Sequence, residues 1–154
     1  MARAKKQYEN KWNFKGEALD AIPDKAVGFV YVITDLENGK RYIGKKSFWS
    51  KRKLKPTDKR RTTVESDWKH YYSSSEKIKE LIKAHGVTRF RRDIIAVCTH
   101  DKYVNYLEIK YQMLFGVIEN ADMWYNDNIN GLWYPYNYKT FESETDIDTN
   151  ILDA

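Results

Sequence analysis

Two tyrosines that lie eleven positions apart are the side chains of this sequence best suited to chemistry. Tyr31 stands in the stretch Gly-Phe-Val-Tyr-Val-Ile-Thr, and Tyr42 opens a Tyr-Ile-Gly triplet that Lys45 and Lys46 follow. A phenol with its ordinary pKa of about 10 acts as a base only where cations stabilise the phenolate, and the two lysines are candidates for that role. Such groups suit the hydrolysis of a phosphate ester, which needs an activated water and positive charge beside the phosphate.

A β-hairpin is the element that would position these residues. Val27 to Thr34 is rich in β-branched and aromatic residues, as strands are. Asn38-Gly39 favours a type I′ turn, because both central positions of that turn need a positive φ. The two tyrosines would then lie near each other on paired strands, and Gly44 would leave room for a close approach.

This hairpin resembles the paired motifs of the GIY-YIG nuclease superfamily, and in particular the catalytic domains of phage homing endonucleases. The resemblance covers residues 27 to about 130. It implies a metal-dependent endonuclease that hydrolyses phosphodiester bonds of DNA, preferably double-stranded, with Mg²⁺ or Mn²⁺. In the family the tyrosine hydroxyls face the scissile phosphate, which implies that role for Tyr31 and Tyr42. A nucleic-acid-binding module without activity is the alternative, and a basic interaction protein with a chance likeness is a third reading.

The resemblance also implies a metal-binding glutamate and a supporting asparagine. Glu108 is the only carboxylate of the predicted second helix beyond its first turn, and one carboxylate with waters and phosphate oxygens is a normal Mg²⁺ shell. The family carries an asparagine near the end of the domain, often after a tyrosine, and Asn126 matches it. Asn128 and Asn130 are alternatives, and the whole asparagine-rich run is also typical of a turn.

The catalytic cation is harder to place. Family members present an arginine on a helix after the second motif, where its guanidinium clamps a phosphate oxygen. Arg52, eight residues after Gly44, lies at the matching distance, although Pro56 argues against a normal helix there. The alternatives are Lys46, Arg60 and Arg61. His70 is a further candidate, for proton transfer.

A basic stretch, residues 45 to 61, follows the second motif and is predicted to be a loop with at most a short helix before Pro56. Such charge would serve contacts to the DNA backbone, which position a protein without reading sequence. The residues expected to bind DNA are Lys45, Lys46, Lys51, Lys53, Arg60 and Arg61. A solvated, flexible face is the other explanation. The aromatic residues between 124 and 138 would either stack on bases or pack as a lid on the core.

Periodicity predicts the remaining elements. Ser73 and Glu76 have the spacing of a capping box, which would introduce a helix from Glu76 to His85 that Gly86 ends. Phe90 to Cys98 is predicted to be a strand.

A second, longer helix would begin at Thr99 or Asp101 and run to about Phe115. Its predicted apolar stripe consists of Val104, Leu107, Tyr111, Leu114 and Phe115. The order of elements indicates an α/β, or α+β, layer fold with a small central antiparallel three-stranded sheet flanked by helices.

The chain has 154 residues, which fit one domain with extensions. We expect a basic N-terminal arm over 1–25, a nuclease-like domain over 26–139, and a flexible acidic tail over 140–154. The arm would either lie on the domain or bind nucleic acid. The net charge is +5, and five acidic residues follow Lys139, so the part before the tail is strongly basic and should attract polyanions.

The sequence has one cysteine, Cys98, which rules out an internal disulfide and gives no thiolate cluster for a metal. It shows no signal peptide and no stretch long enough to span a membrane. A soluble protein of the cytoplasm is therefore expected, and the resemblance suggests a phage-infected bacterium as the setting.

Overall fold

A mixed sheet of five strands organises residues 10–135, which, with residue 150, are the part of the chain that the computed structural model describes. In chain order the strands are β1 Asn13–Phe14, β2 Glu17–Ala18, β3 Gly28–Asp35, β4 Arg41–Ser47, β5 Trp49–Arg52, β6 Thr62–Glu65 and β7 Phe90–Cys98. The helices are α1 Glu76–His85 and α2 Asp101–Leu114. The large sheet has the order β2-β1-β7-β3-β4, whereas β5 and β6 form a separate two-stranded sheet.

The three strands predicted from the sequence form the antiparallel centre of this sheet, with β3 between β4 and β7. The sheet nevertheless has five strands, two more than the three that were predicted. Strand β1 adds to β7 in parallel, and β2 pairs with β1. Two-residue strands are too short to produce an alternating pattern, so no pattern in the sequence predicts them.

The hairpin of β3 and β4 is confirmed, but its turn differs from the type I′ prediction. The backbone N–H of Asp35 donates to the carbonyl of Lys40, and the N–H of Gly39 donates to the carbonyl of Asp35. The loop therefore has four residues, 36–39, and Gly39 has a φ of +76° while Asn38 keeps an ordinary negative φ. The Asn-Gly pair located the turn correctly because Gly39 still supplies the positive φ that closes it.

Residues 45–47 belong to β4, although a loop was predicted over residues 45–61. Residues 49–52 also correct that prediction. They form β5 and pair with β6 in an antiparallel register that runs from Trp49 opposite Glu65 to Arg52 opposite Thr62. The threonines and valine of β6 are good strand formers, and they pair with β5. Pro56, which disfavours a helix, interrupts neither strand. Pro56 lies instead in the turn between the strands, where the N–H of Asp58 donates to the carbonyl of Lys55.

Both helices occur where periodicity predicted them, but their caps differ. The N-cap of α1 is Ser75, whose Oγ accepts a hydrogen bond from the N–H of Ile78, so the Ser73–Glu76 capping box was wrong by two residues. The N-cap of α2 is His100, which lies between the two predicted candidates. Leu114 and Phe115 belong to the predicted apolar stripe, yet both are exposed at the C-terminal end of α2.

The core lies on both faces of the sheet. One face carries an aromatic cluster in which Trp12, Phe29 and Trp68 pack around β3. The other face packs α2 through Val104 against Val30. Trp12 is only 1% exposed, so the predicted arm, from residue 10 onward, lies on the domain.

Parts of the predicted extensions lie outside the described residues, namely residues 1–9 of the arm and all of the acidic tail except Asn150. Cys98 is buried and is a free thiol. Within the described part of the chain, none of the helices has the length and apolar character needed to cross a membrane.

Candidate active site

An open cavity of about 430 Å³ lies at the outer edge of β4, where α2, the start of α1 and the segment after residue 124 meet. Its lining includes four of the residues predicted from the sequence, namely Tyr42, Lys45, Glu108 and Asn126. The other lining residues are Ser74, Ser75, Glu76, Asn105, Gln112, Tyr125, Asp127, Asn128 and Asn130. The cavity is therefore rich in oxygen-bearing side chains.

The two tyrosines stand side by side on one face of the hairpin. Tyr31 pairs with Gly44 across β3 and β4, and Tyr42 lies two residues before Gly44, so all three share that face. The ring centroids of Tyr31 and Tyr42 are 6.3 Å apart. A side chain at position 44 would overlap the Tyr31 hydroxyl and lie 2.9 Å from Cε1 of Tyr42, so only glycine leaves room for the pair.

A third tyrosine, which sequence reasoning missed, completes an aromatic cluster. Tyr71 packs edge-on against Tyr31 with a centroid distance of 6.0 Å. The ammonium of Lys46 lies 4.2 Å from the centroid of the Tyr71 ring and 2.7 Å from a carboxylate oxygen of Asp67. Its position directly after His70, which was already a candidate, is the one signal that could have found Tyr71 in the sequence.

A buried arginine holds the loop that carries Tyr71. Arg92 is fully buried, and its guanidinium donates to the carbonyls of Lys69 and Tyr71 at 3.1 and 2.9 Å. The same guanidinium lies between the rings of Trp12 and Tyr72, at 4.5 and 4.1 Å. Burial lowers its pKa to about 10, so Arg92 stays charged at neutral pH and anchors this loop to β7.

Tyr31 and Tyr42 resist ionisation. Burial raises the pKa of Tyr31 well above its ordinary value, and the neighbouring Tyr71 and Tyr42 raise it further. Burial also raises the pKa of Tyr42, although its hydrogen bond of 3.1 Å with the hydroxyl of Ser74 lowers that pKa. Both tyrosines are therefore neutral at physiological pH, and both can donate a hydrogen bond.

The Tyr31 hydroxyl is buried and makes no hydrogen bond of normal geometry with any described residue. Buried hydroxyls normally have a partner, so this one is an exception within the described part of the chain. The ring of Tyr31 lies beside that of Tyr42, which itself borders the cavity.

Glu108 lies on the face of α2 that looks toward the edge of β4. Burial raises the pKa of its carboxyl group, while the ammonium and the backbone N–H of Lys45 lower it. The Lys45 ammonium is held by the side-chain oxygen of Asn105, at 2.7 Å. One helical turn beyond Glu108, Gln112 has a buried side-chain oxygen without a hydrogen-bond donor among the described residues.

These donors fit a hard divalent cation held mainly by water and substrate. The described residues contain no group of three or more histidine, cysteine, aspartate or glutamate side chains that could enclose a metal. Mg²⁺ needs fewer protein ligands than that, because it keeps several waters and commonly binds through one or two carboxylates and phosphate oxygens. Such an ion would be held by the carboxylate of Glu108, and the side-chain oxygen of Gln112 would accept from a metal-bound water.

Asn126 is placed by the backbone of β4. Its side-chain oxygen accepts from the N–H of Ile43 at 3.0 Å, and its side-chain nitrogen donates to the carbonyl of Ile43 at 2.8 Å. Next to it, the N–H of Tyr125 donates to the carbonyl of Arg41 at 2.7 Å. Asn126 thus pairs with the open edge of β4 as a neighbouring strand would, and it fixes the wall of the cavity.

Arg52 and His70 lie outside the cavity lining. Arg52 is exposed on β5, from where its charge acts on Asp67. His70 is exposed at the end of a short 3₁₀ turn. The structure brings the tyrosine pair, Glu108 and Asn126 together, but it leaves these two residues apart from them.

The predicted DNA-binding residues fall into two groups. Lys45 and Lys46 lie on β4 beside the tyrosines. The others are exposed on the β5–β6 hairpin and are Lys51, Lys53, Arg60 and Arg61. Of the late aromatic residues, Trp124 packs on the core and Trp133 is exposed, whereas Tyr136 and Tyr138 lie outside the described residues.

Comparison with known proteins agrees with this geometry. A family model described as "Putative endonuclease segE, GIY-YIG domain" matches residues 12–129, which is most of the chain. No curated protein matches the chain, and no solved structure does. The match begins at Trp12 and ends after Asn126, so it includes the N-terminal strands, the tyrosine hairpin and every lining residue of the cavity except Asn130. The chain belongs to the GIY-YIG nuclease superfamily.

Proposed function

We propose that this protein is a metal-dependent endonuclease that hydrolyses phosphodiester bonds of double-stranded DNA in the cavity beside β4. The observation that carries the proposal is the convergence of Tyr42, Glu108 and the Asn126-fixed edge of β4 on one polar cavity. A free-standing homing nuclease of the phage type, in the cytoplasm of an infected bacterium, is the biological setting we propose. That setting rests on the family resemblance.

Glu108 would hold Mg²⁺ or Mn²⁺, and Gln112 would orient a metal-bound water through its free oxygen. The bound ion would supply charge neutralisation at the phosphate. Binding a cation beside Glu108 also removes the cost of keeping its carboxylate charged in a half-buried position.

The tyrosines would act as neutral hydrogen-bond donors before the reaction. Their raised pKa values argue against a resting phenolate, so we assign them the positioning of the attacking water and of a phosphate oxygen. Tyr42 borders the cavity directly, and the ring of Tyr31 lies beside it with a hydroxyl that would bind water as the site opens to substrate. Positioning of this kind supplies a large part of catalysis in phosphoryl transfer.

Lys46 is the cation that the geometry favours for charge stabilisation. It lies two residues after Gly44 on the strand face of the tyrosines, and Asp67 and the ring of Tyr71 orient its ammonium. Arg52 would act from the neighbouring hairpin through Asp67, and His70 would have at most an indirect part. Replacing Lys46 with glutamine should therefore lower cleavage more than replacing Arg52 with glutamine.

Nicking of supercoiled plasmid in Mg²⁺ tests the proposal. Wild-type protein should convert the plasmid to open circles, and Glu108→Gln should abolish conversion while keeping the shape of the side chain. Because burial raises the pKa of Glu108, removing its charge should leave the melting temperature unchanged or higher, so a loss of activity cannot be attributed to unfolding.

One feature favours the alternative of a binding module without activity. No arginine lines the cavity among the described residues, and the charge of Lys46 is paired with Asp67. If the wild-type protein binds DNA but does not nick it with Mg²⁺ or Mn²⁺, the nuclease proposal is wrong and the binding module is the better description.

A further inference from the structure

We propose that the hairpin of β5 and β6, residues 49–65, enters the major groove of duplex DNA next to the cleavage site. This inference rests on the proposed function, since it takes DNA as the substrate. We call residues 49–65 the basic ribbon. The ribbon would select duplex DNA over single strands, which the cavity by itself does not do.

The basic ribbon concentrates the positive charge of the molecule. It contains seven basic and two acidic residues, so its net charge of +5 equals that of the whole chain. Both acidic side chains are engaged within the fold. Asp58 accepts the backbone N–H of Lys55 at 2.9 Å, and Glu65 accepts the indole N–H of Trp68 at 2.8 Å.

The basic side chains, in contrast, point to solvent. All seven are exposed, namely Lys51, Arg52, Lys53, Lys55, Lys59, Arg60 and Arg61. None of them forms an ion pair with a residue in the described part of the chain. A dense set of cations without partners is expected to bind phosphates by displacing their counterions.

The shape of the ribbon decides which groove it fits. Paired strands lie about 4.8 Å apart, and side chains widen the ribbon to about the width of the major groove, which is about 12 Å. The minor groove of B-DNA is only about 6 Å wide, and the major groove of an RNA duplex is too narrow for side chains to enter. A two-stranded ribbon therefore fits the major groove of DNA and neither of the others.

The base of the basic ribbon is fixed to the end of β4. Phe48 is fully buried between β4 and β5, and its carbonyl accepts the N–H of Ser66 at 2.8 Å. The Ser66 hydroxyl donates to the carbonyl of Ser47 at 2.6 Å, and the indole of Trp49 donates to the carbonyl of Ala26 at 3.0 Å. A ribbon seated in the groove would therefore hold a backbone phosphate at a fixed distance from Lys46.

The test compares the charge of the ribbon with matched charge elsewhere. A ribbon variant carries Lys53→Gln, Lys55→Gln and Lys59→Gln, and a control variant carries Lys77→Gln, Lys79→Gln and Lys83→Gln on α1, where all three lysines are also exposed. Binding is measured without metal, by fluorescence anisotropy, on a DNA duplex of about 30 base pairs, on one of its strands, and on the matching RNA duplex.

The ribbon variant should lose at least about tenfold in affinity for the DNA duplex, and its plot of log K against log salt should become shallower by about 2 to 3. The control variant should lose less, and single-stranded DNA should respond less to the ribbon variant. Equal losses in the two variants, or equal losses on duplex and single strand, would overturn the proposal.

The groove is identified by methylation with dimethyl sulfate, which reacts with guanine N7 in the major groove and adenine N3 in the minor groove. A shortened ribbon, with residues 53–61 replaced by Asn-Gly, should lose protection of guanine N7 that the wild-type protein provides. Protection of adenine N3 alone would show that the assignment is wrong. Because binding is measured without metal, absence of cleavage in the plasmid assay leaves this test intact, and loss of ribbon binding leaves cleavage measurable.

Discussion

At the scale of single residues, the tyrosine pair depends on the absence of a side chain at position 44. Tyr31 lies over Gly44, and the rings of the two tyrosines can be close only because nothing projects between them. The Tyr-Ile-Gly triplet is therefore a packing requirement as well as a chemical one. The isoleucine between them, Ile43, faces the other side of the sheet and packs in the second core cluster.

Gly44→Ala tests this packing requirement. The added methyl group would lie 2.5 Å from Cζ of Tyr31, so the ring must move, and we expect a loss of about 1 to 3 kcal/mol in unfolding free energy and near-complete loss of nicking. Gly39→Ala is the control, because it has open space but a φ of +76°, and it should cost about 1 kcal/mol with nicking retained. Chemical denaturation and the plasmid assay measure the two quantities; equal activity in both variants would contradict the expectation.

Tyr31→Phe separates chemistry from stability. The hydroxyl is buried without a normal hydrogen bond among the described residues, so its removal should change the unfolding free energy by less than about 1 kcal/mol, in either direction. If the hydroxyl positions water, nicking should fall by about 100-fold or more. A melting curve and single-turnover kinetics distinguish the effects. A large drop in melting temperature would show instead that the hydroxyl is a structural group.

At the scale of elements, the unusual feature is an asparagine that substitutes for a strand. Asn126 is 6% exposed, and it accepts one hydrogen bond from Ile43 of β4 and donates one to the same residue. Its neighbours form a short parallel bridge at Arg41 and Trp124. The segment after α2 therefore reaches the cavity through backbone pairing, which explains why a turn-like asparagine run contributes to a site.

Asn126→Ala should expose this dependence. Loss of two buried hydrogen bonds should lower the unfolding free energy by about 1 to 3 kcal/mol, and the N–H of Ile43 is left without its partner. Asn128→Ala removes one exposed bond to Gly131 and should cost less than about 1 kcal/mol. Hydrogen exchange at the Ile43 amide gives a local readout, which should become faster in the first variant only; unchanged exchange would argue against the pairing.

The elements that the sequence predicts well are those with a local signal. The hairpin, α1 and β7 follow from β-branched runs, a glycine stop and helical periodicity. Strands β1 and β5 were missed because they gain stability from pairing with other strands, while β1 has only two residues and β5 ends in Lys51 and Arg52. Strand β6 contains good strand formers, but its four residues lie in the segment next to the predicted basic loop. The loop prediction for residues 49–52 failed for that reason.

The residues of the candidate site also differ in whether a local signal in the sequence marks them. Tyr42, Glu108 and Asn126 could be chosen because family motifs mark their positions, and the cavity brings them together. Their catalytic roles stay predictions. Tyr71 and Gln112 were not found, because their contribution depends on which side chain each one meets in space.

At the scale of the whole molecule, one buried carboxylate links three parts of the chain. Asp35, at the end of β3, forms a bidentate ion pair with Arg89 at 2.8 and 2.9 Å. It also accepts the hydroxyl of Tyr125 at 2.6 Å, and Asn38 donates to that hydroxyl. The turn of the hairpin, the entry to β7 and the segment that carries Asn126 are therefore tied to one group.

This link predicts how stability depends on acid. Burial by itself raises the pKa of Asp35, but the hydrogen bonds from Arg89 and Tyr125 outweigh it and lower the pKa to about 2. Since the pKa in the unfolded chain is near 3.8, the stabilisation is complete above that pH and is lost as the pH falls toward 2. Denaturation curves between pH 6 and about 2 should show this loss.

Asp35→Asn is the matching variant. It should cost about 3 kcal/mol at neutral pH, because the mostly buried Arg89 keeps only its ion pair with the exposed Glu37, and it should flatten the acid dependence. Asp93→Asn serves as a control, since the pair of Asp93 with Arg91 is partly exposed and should contribute less than about 1 kcal/mol. Equal losses in the two variants would contradict the importance of burial.

The pairing of Asn126 with β4 also bears on self-association. A free outer strand in a sheet offers unpaired N–H and carbonyl groups on which another chain can add, and this is a common start of aggregation. Here one edge is the two-residue β2, and the other is occupied at Arg41 and Ile43 by the chain's own Tyr125 and Asn126. Asn126, which shapes the cavity, thereby also keeps the edge of β4 from pairing with a strand of a second copy of the chain.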